Sequence, residues 1–110
     1  MGKPAVLYQL IVYVPVSHLA QVKTALFEAG AGRYAHYDCC AFEVLGQGQF
    51  RPLAGSHPFL GQPNQVERVA EYRVEMICVQ ENIKKAITAL KLAHPYEEPA
   101  YIVSKFENFV

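Results

Sequence analysis

The stretch Ala5-Val6-Leu7-Tyr8-Gln9-Leu10-Ile11-Val12-Tyr13-Val14 constrains the fold more than any other. It is β-branched and aromatic, so it predicts a strand over 5–14. One face carries Leu7, Gln9, Ile11 and Tyr13, and the other carries Tyr8, Leu10, Val12 and Val14. Both faces are largely apolar. A strand with one solvated face would alternate more cleanly. This strand is therefore expected at the centre of a sheet, with something covering both sides.

Pro15 closes the strand, and Ser17 is a candidate cap for a helix beginning just after it. Leu19, Val22, Leu26 and Ala29 recur at helical spacing over 18–29, and Gly30 and Gly32 stop the pattern. Residues 37–45 read as a second strand. Cys40, Phe42 and Val44 share one face, and Tyr37, Cys39, Ala41 and Glu43 share the other. Over 46–65 glycines alternate with prolines, which is turn chemistry and predicts a long loop. Phe50, Leu53, Phe59 and Leu60 lie in it and need burial, so the loop is expected to be ordered.

A third strand is expected over 66–79, with Tyr72, Val74, Met76 and Cys78 alternating with Arg73, Glu75, Ile77 and Val79. Asn82 is the expected cap of a second helix at 83–93, whose apolar stripe is Ile83, Ala86, Ile87, Leu90 and Ala93. A fourth strand is expected at 100–106. The order β-α-β-loop-β-α-β is the ferredoxin-like arrangement, an α+β fold. It is a four-stranded antiparallel sheet with two helices on one face. Helices cover only one face of such a sheet. The apolar positions on the other face predict self-association.

A chain of 110 residues is one domain, taken here as 1–110. Ten Lys and Arg balance ten Asp and Glu, with no basic run, so neither nucleic acid nor a membrane surface is the expected partner. The apolar segment 5–14 is too short to span a bilayer. Cys39, Cys40 and Cys78 are an odd set with no secretory signal before them. Reduced thiols in a cytoplasm are the expectation.

The richest chemistry lies at His94-Pro95-Tyr96-Glu97-Glu98-Pro99-Ala100-Tyr101, between the second helix and the last strand. Imidazole and carboxylates together suit a divalent metal ion, which makes His94, Glu97 and Glu98 candidate ligands. The competing structural account places His94 at a helix C-terminus, where a cation is favoured. The prolines then set a turn, and the glutamates bond backbone or a neighbouring subunit. Cys39 and His36 are weaker metal candidates, because adjacent Cys39 and Cys40 point to opposite faces of a strand. Cys40 reads as core. Gly46-Gln47-Gly48 lacks the third glycine and the helix of a dinucleotide motif. No nucleophile–base pair is legible, so no catalysis is expected.

The His94–Pro99 run resembles the His-Pro-Tyr-Glu signature of the CutA divalent-ion tolerance proteins. It is more similar still to the YqfO-type domain carried within many bacterial Nif-three-like proteins and sometimes found alone. That domain shares Gly46–Pro52 as Gly-x-Gly-x-Phe-x-Pro, Gly55–Gly61 as Gly-x-x-Pro-x-x-Gly, and the acidic strand Glu67–Glu75. The resemblance spans about residues 5–107. It implies a CutA/PII-like fold and a homotrimer. It does not bring across the two-metal core of the longer relatives, for which this chain has no room. Arg33-Tyr34-Ala35-His36 lacks the Ile-Gly expected after the Arg, and Gly61-Gln62-Pro63-Asn64 lacks a second Gly.

By the same resemblance, Arg51 is a candidate for a phosphate in a cleft between subunits, as PII-like proteins hold nucleotides, and Tyr96 would line that cleft. The expected function is a small binding or regulatory module that takes a metal ion or small ligand at clefts between subunits. The alternative is a purely structural interaction domain serving another protein.

Overall fold

The computed structural model describes residues 6–107. The order is β1 (Leu7–Pro15), α1 (Leu19–Glu28), β2 (Phe42–Phe50), β3 (Glu67–Val79), α2 (Ile83–Ala93) and β4 (Tyr101–Phe106). Single 3-10 turns, Val16–His18 and Gln80–Asn82, lead into the two helices. The sheet order is β2-β3-β1-β4, antiparallel throughout. The ferredoxin-like fold expected from the sequence is the one observed, with β1 central.

The register explains the core. Leu10 pairs with Met76, Val12 with Val74 and Tyr8 with Cys78, so these residues share one face. Val22 and Leu26 of α1, and Ile83, Ala86 and Leu90 of α2, pack against that face. Both helices therefore bury their predicted stripes on the same side of the sheet. Completely burying a Leu or Val side chain contributes roughly 1.5–3 kcal/mol. Leu10, Leu26, Leu90, Val12, Val14, Val22 and Val74 are all buried this way. Helix α1 ends in a Schellman motif. Gly30, at φ +101°, donates to Phe27 O at 3.0 Å, and Ala31 donates to Leu26 O at 3.0 Å.

Several local expectations are corrected. Ser17 does not cap α1; its hydroxyl lies 2.8 Å from His18 Nδ1. Asn82 does not cap α2 either. Its amide turns back to Gly30 O at 3.5 Å, which ties the end of α1 to the start of α2. The second strand begins at Phe42, not Tyr37, because the chain folds on itself first. Tyr34 and Tyr37 exchange backbone bonds, and Ala35 and Cys39 hold positive φ. Tyr37 is thus exposed outside the sheet, and Cys40 is only half-buried and outside the core. The long loop starts late. Gly46–Phe50 continue β2, and the loop occupies 51–66.

Residues 67–70 of β3 pair with β2 but not with β1. The β2–β3 hairpin therefore projects past the helices and stretches the molecule to 56 × 23 × 21 Å. The sheet face away from the helices carries Leu7, Ile11 and Tyr13 of β1, with Phe42, Val44, Gly48 and Phe50 of β2. Ile11 and Leu7 are buried, whereas Phe42, Val44 and Ile102 stay exposed.

Candidate functional site

The site forms on the face that the helices leave open, at the projecting end of the hairpin. Four segments meet there: the end of β1, the 46–50 part of β2, the 51–66 loop and the 94–100 turn. They enclose a cleft of roughly 360 Å³. Its aromatic lining is Tyr13, Phe50, Phe59 and Tyr96, and its carboxylates are Glu71, Glu97 and Glu98.

His94 sets the turn. It is 5% exposed, and both ring nitrogens are engaged. Nδ1 accepts the Tyr96 backbone N–H at 3.1 Å, so Nε2 carries the proton and donates to Tyr13 O at 2.7 Å. Burial lowers its pKa below 6.5, partly offset by the bond to Tyr13 and by the charge of Glu71. The ring is therefore a neutral staple between β1 and the turn. Tyr13 N–H completes the attachment by donating to Ala100 O at 3.2 Å.

Tyr96 projects from the stapled turn into the cleft. Its phenol donates to Glu71 Oε2 at 2.8 Å. Burial, then that bond, raises its pKa, so the phenol stays a donor. Its ring lies 4.8 Å from His94, 6.0 Å from Phe50 and 6.3 Å from Phe59. Glu71 reaches Tyr96 because Gly48 leaves it room. A Cβ at Gly48 would overlap the Glu71 carboxylate.

The 51–66 loop is ordered by its own chemistry. Asn64 N–H donates to Pro52 O at 2.6 Å, closing the loop at its neck. Asn64 and Gly61 take positive φ there. The loop is then tied to the turn, since His57 N–H donates to Glu97 Oε1 at 2.9 Å. Phe59 packs edge-on against His18 at 5.4 Å. The loop thus covers part of the open sheet face that the sequence left without cover.

The structure gathers Tyr96, Glu97 and Glu98 at one cleft, with His94 holding the turn behind them. His36 and Cys39 do not join them; they are exposed on the 33–41 connection. Arg51 is exposed, and its side chain does not line the cleft although Phe50 and Pro52 do. Among the described residues, no three His, Cys, Asp or Glu side chains are grouped to hold a metal ion. His94 has no lone pair left to offer one. Cys78, buried and with its pKa raised by that burial and by Glu81, is a core thiol. Sequence reasoning missed Glu71, Tyr13 and Gly48 as site residues. The available signal was the hairpin register, which sets Gly46 opposite Glu71 and Gly48 two residues along the same face.

Comparison with known proteins places this architecture. No family model matches the chain. It is 45% identical over 91 residues to the GTP cyclohydrolase 1 type 2 homolog of Mycobacterium leprae, covering 83% of this chain and 24% of that protein. It is 43% identical over 102 residues to that of Halalkalibacterium halodurans, covering 93% and 27%. A Bacillus cereus protein related to NIF3 superposes with TM-score 0.82 at 38% identity, over 97% of this chain and 27% of that one. CutA from Archaeoglobus fulgidus gives TM-score 0.67 at 13% identity, over 94% and 87%. The Bacillus subtilis GlnK–ATP complex gives 0.61 at 8%, over 96% and 85%. The last two show the fold alone.

The molecule thus has the CutA/PII-like fold. In sequence and structure it matches one domain of the NIF3/YqfO proteins. It spans about a quarter of the length of the curated relatives that it matches.

Proposed function

We propose that this domain is a small regulatory binding module that holds a small ligand in the cleft between the 51–66 loop and the 94–100 turn, within a homotrimer. The cleft itself carries the reading. Its volume suits a small molecule, its walls are aromatic, and its few polar groups converge from different elements. Its two walls are tied together by the His57–Glu97 bond before any ligand arrives. Preorganisation of that kind lowers the ordering cost of binding. An organic ligand is favoured over a bare metal ion because His94 spends both nitrogens on backbone. The trimer follows from the family resemblance and from the exposed Phe42, Val44 and Ile102 on the open face.

The module acts by binding, without catalysis of its own. The word "homolog" in the relatives' names describes those proteins and assigns no reaction here. Three unpaired cysteines suit a reducing compartment, so the cytoplasm is the proposed location. No helix among the described residues is long and apolar enough to cross a membrane.

The test is a thermal-shift screen of the purified protein against divalent metals, nucleotides, amines and organic acids. A saturable rise in Tm that is lost on Tyr96→Ala supports the reading. No shift with any class counts against it. A shift with a divalent metal alone, lost on Glu97→Ala, would restore the metal site. The exposed apolar face favours a second reading, a structural interaction domain. In that case His94→Ala weakens the oligomer and leaves no ligand affinity to lose.

A further inference from the structure

The cleft is charged with one sign only. Glu71, Glu97 and Glu98 line it, and no Lys, Arg or His side chain among the described residues does. Yet the chain as a whole is balanced, ten against ten. The nearest basic residues in sequence do not change this. Arg51 and His57 are exposed, and His57 meets Glu97 through its backbone N–H rather than its ring. Glu71 Oε2 accepts the Tyr96 phenol and Glu97 Oε1 accepts His57 N–H. Their second oxygens, and the whole Glu98 carboxylate, have no hydrogen-bond or ion-pair partner among the described residues.

An anion would meet this acidity with no counter-charge. A nucleotide phosphate is therefore the wrong partner, and the phosphate expected at Arg51 has no place inside the cleft. A bare metal ion would lack its shell. The remaining charge class is an organic cation, and the rest of the lining suits one. Phe50, Phe59 and Tyr96 supply π-faces, which attract an ammonium group within about 6 Å of a ring centroid. Pro52, Pro58 and Leu60 supply an apolar wall for a hydrocarbon body.

We propose that the cleft takes an organic cation, an amine or quaternary ammonium on an apolar or aromatic body. Its charge is drawn by the Glu71, Glu97 and Glu98 carboxylates that line the cleft, and its body lies on Phe50, Phe59 and Tyr96. This rests on the reading of the cleft as a small-ligand site and names the chemical class of that ligand.

The test compares three probes of one shape at pH 7.5: phenethylamine as the cation, 2-phenylethanol as the neutral form and phenylacetate as the anion. Binding is read from amide chemical shifts of Gly48, Ser56, Tyr96 and Glu97 in the full chain. Phenethylamine is expected to bind about tenfold or more tightly than 2-phenylethanol, a ratio within the range of charge-assisted contacts. Phenylacetate is expected to bind weakest. Glu71→Gln, which keeps an acceptor for the Tyr96 phenol, should erase most of the cation's advantage and leave 2-phenylethanol unchanged. Should that variant fold poorly, exposed Glu98→Gln serves, with a smaller loss of the same sign. Equal binding of the alcohol, or tighter binding of phenylacetate, overturns the cation assignment while leaving a ligand cleft. Absence of all three probes from the cleft removes the ligand-site reading itself, and this inference with it.

Discussion

The phenol of Tyr96 and the carboxylate of Glu71, 25 residues apart in sequence, meet at 2.8 Å across the cleft. One residue lies on the turn after α2 and the other at the middle of β3. Their bond joins the 94–100 turn to the sheet. It exists only because Gly48, on the neighbouring strand, has no side chain to occupy the same space. These three positions form one mechanical unit.

Removing the phenol tests that unit. Tyr96→Phe should cost about 1 kcal/mol, the worth of one hydrogen bond to a charged group that is not deeply buried. For a domain of this size that is a fall in Tm of about 4 °C. Calorimetry checks it, and an unchanged Tm would show that the bond carries no weight.

Gly48→Ala should cost a similar amount by a different route. The added methyl pushes Glu71 aside, and the Tyr96 bond is lost with it. The two substitutions should therefore be non-additive, since contacting residues couple. In the Tyr96→Phe background, Gly48→Ala should cost little. Denaturant melts of the single and double variants give the cycle, and full additivity would separate the two residues.

The staple at His94 predicts a pH dependence. Burial lowers its pKa below 6.5, so the unfolded chain takes up the proton first as pH falls. Stability from this group is complete above about pH 6.5 and declines as pH falls through the range beneath it. A protonated Nδ1 also cannot accept the Tyr96 N–H, so the turn should loosen in the same range. Urea melts between pH 7.5 and 5 should show a slope that His94→Gln removes. A slope that survives in the variant belongs to other groups.

His94→Ala at neutral pH should cost about 2–4 kcal/mol. It leaves Tyr13 O and Tyr96 N–H without their buried partner and opens a cavity. The loss should be far larger than that of any exposed residue in the turn, such as Glu98→Ala. Equal losses would mean that the ring does not staple the turn.

Self-association has its own test. Phe42 is 63% exposed and Val44 49%, side by side on the open face of β2. Phe42→Glu should shift the sedimentation profile toward monomer while leaving the far-ultraviolet spectrum unchanged. If wild type and variant sediment alike, the open face is not the contact between copies.

Much of this was legible in the chain. The strand over β1, the stripes of α1 and α2 and the alternation of β3 follow from periodicity, because each element buries a face that repeats at its own backbone period. The 83–93 helix was read with the bounds it has in the structure. The start of β2 was misplaced because Tyr37 to Cys40 carry strand-like residues but spend their backbone on a local turn. The glycines at 46 and 48 suggested a loop. Pairing with β3 overrode that preference, since the ladder satisfies their backbone groups and Glu71 needs the space.

The sequence by itself determined the order of elements, the stripes that the helices bury, and the concentration of chemistry in residues 94–101. These depend on short-range pattern, which a linear chain displays directly. Only the tertiary structure decided how that chemistry is arranged. It turned His94 from a ligand candidate into a staple, because ring nitrogens have fixed directions and backbone groups of Tyr13 and Tyr96 lie along them. It also brought Glu71, Phe50 and Phe59 to Tyr96, contacts set by strand register and loop closure across long stretches of chain.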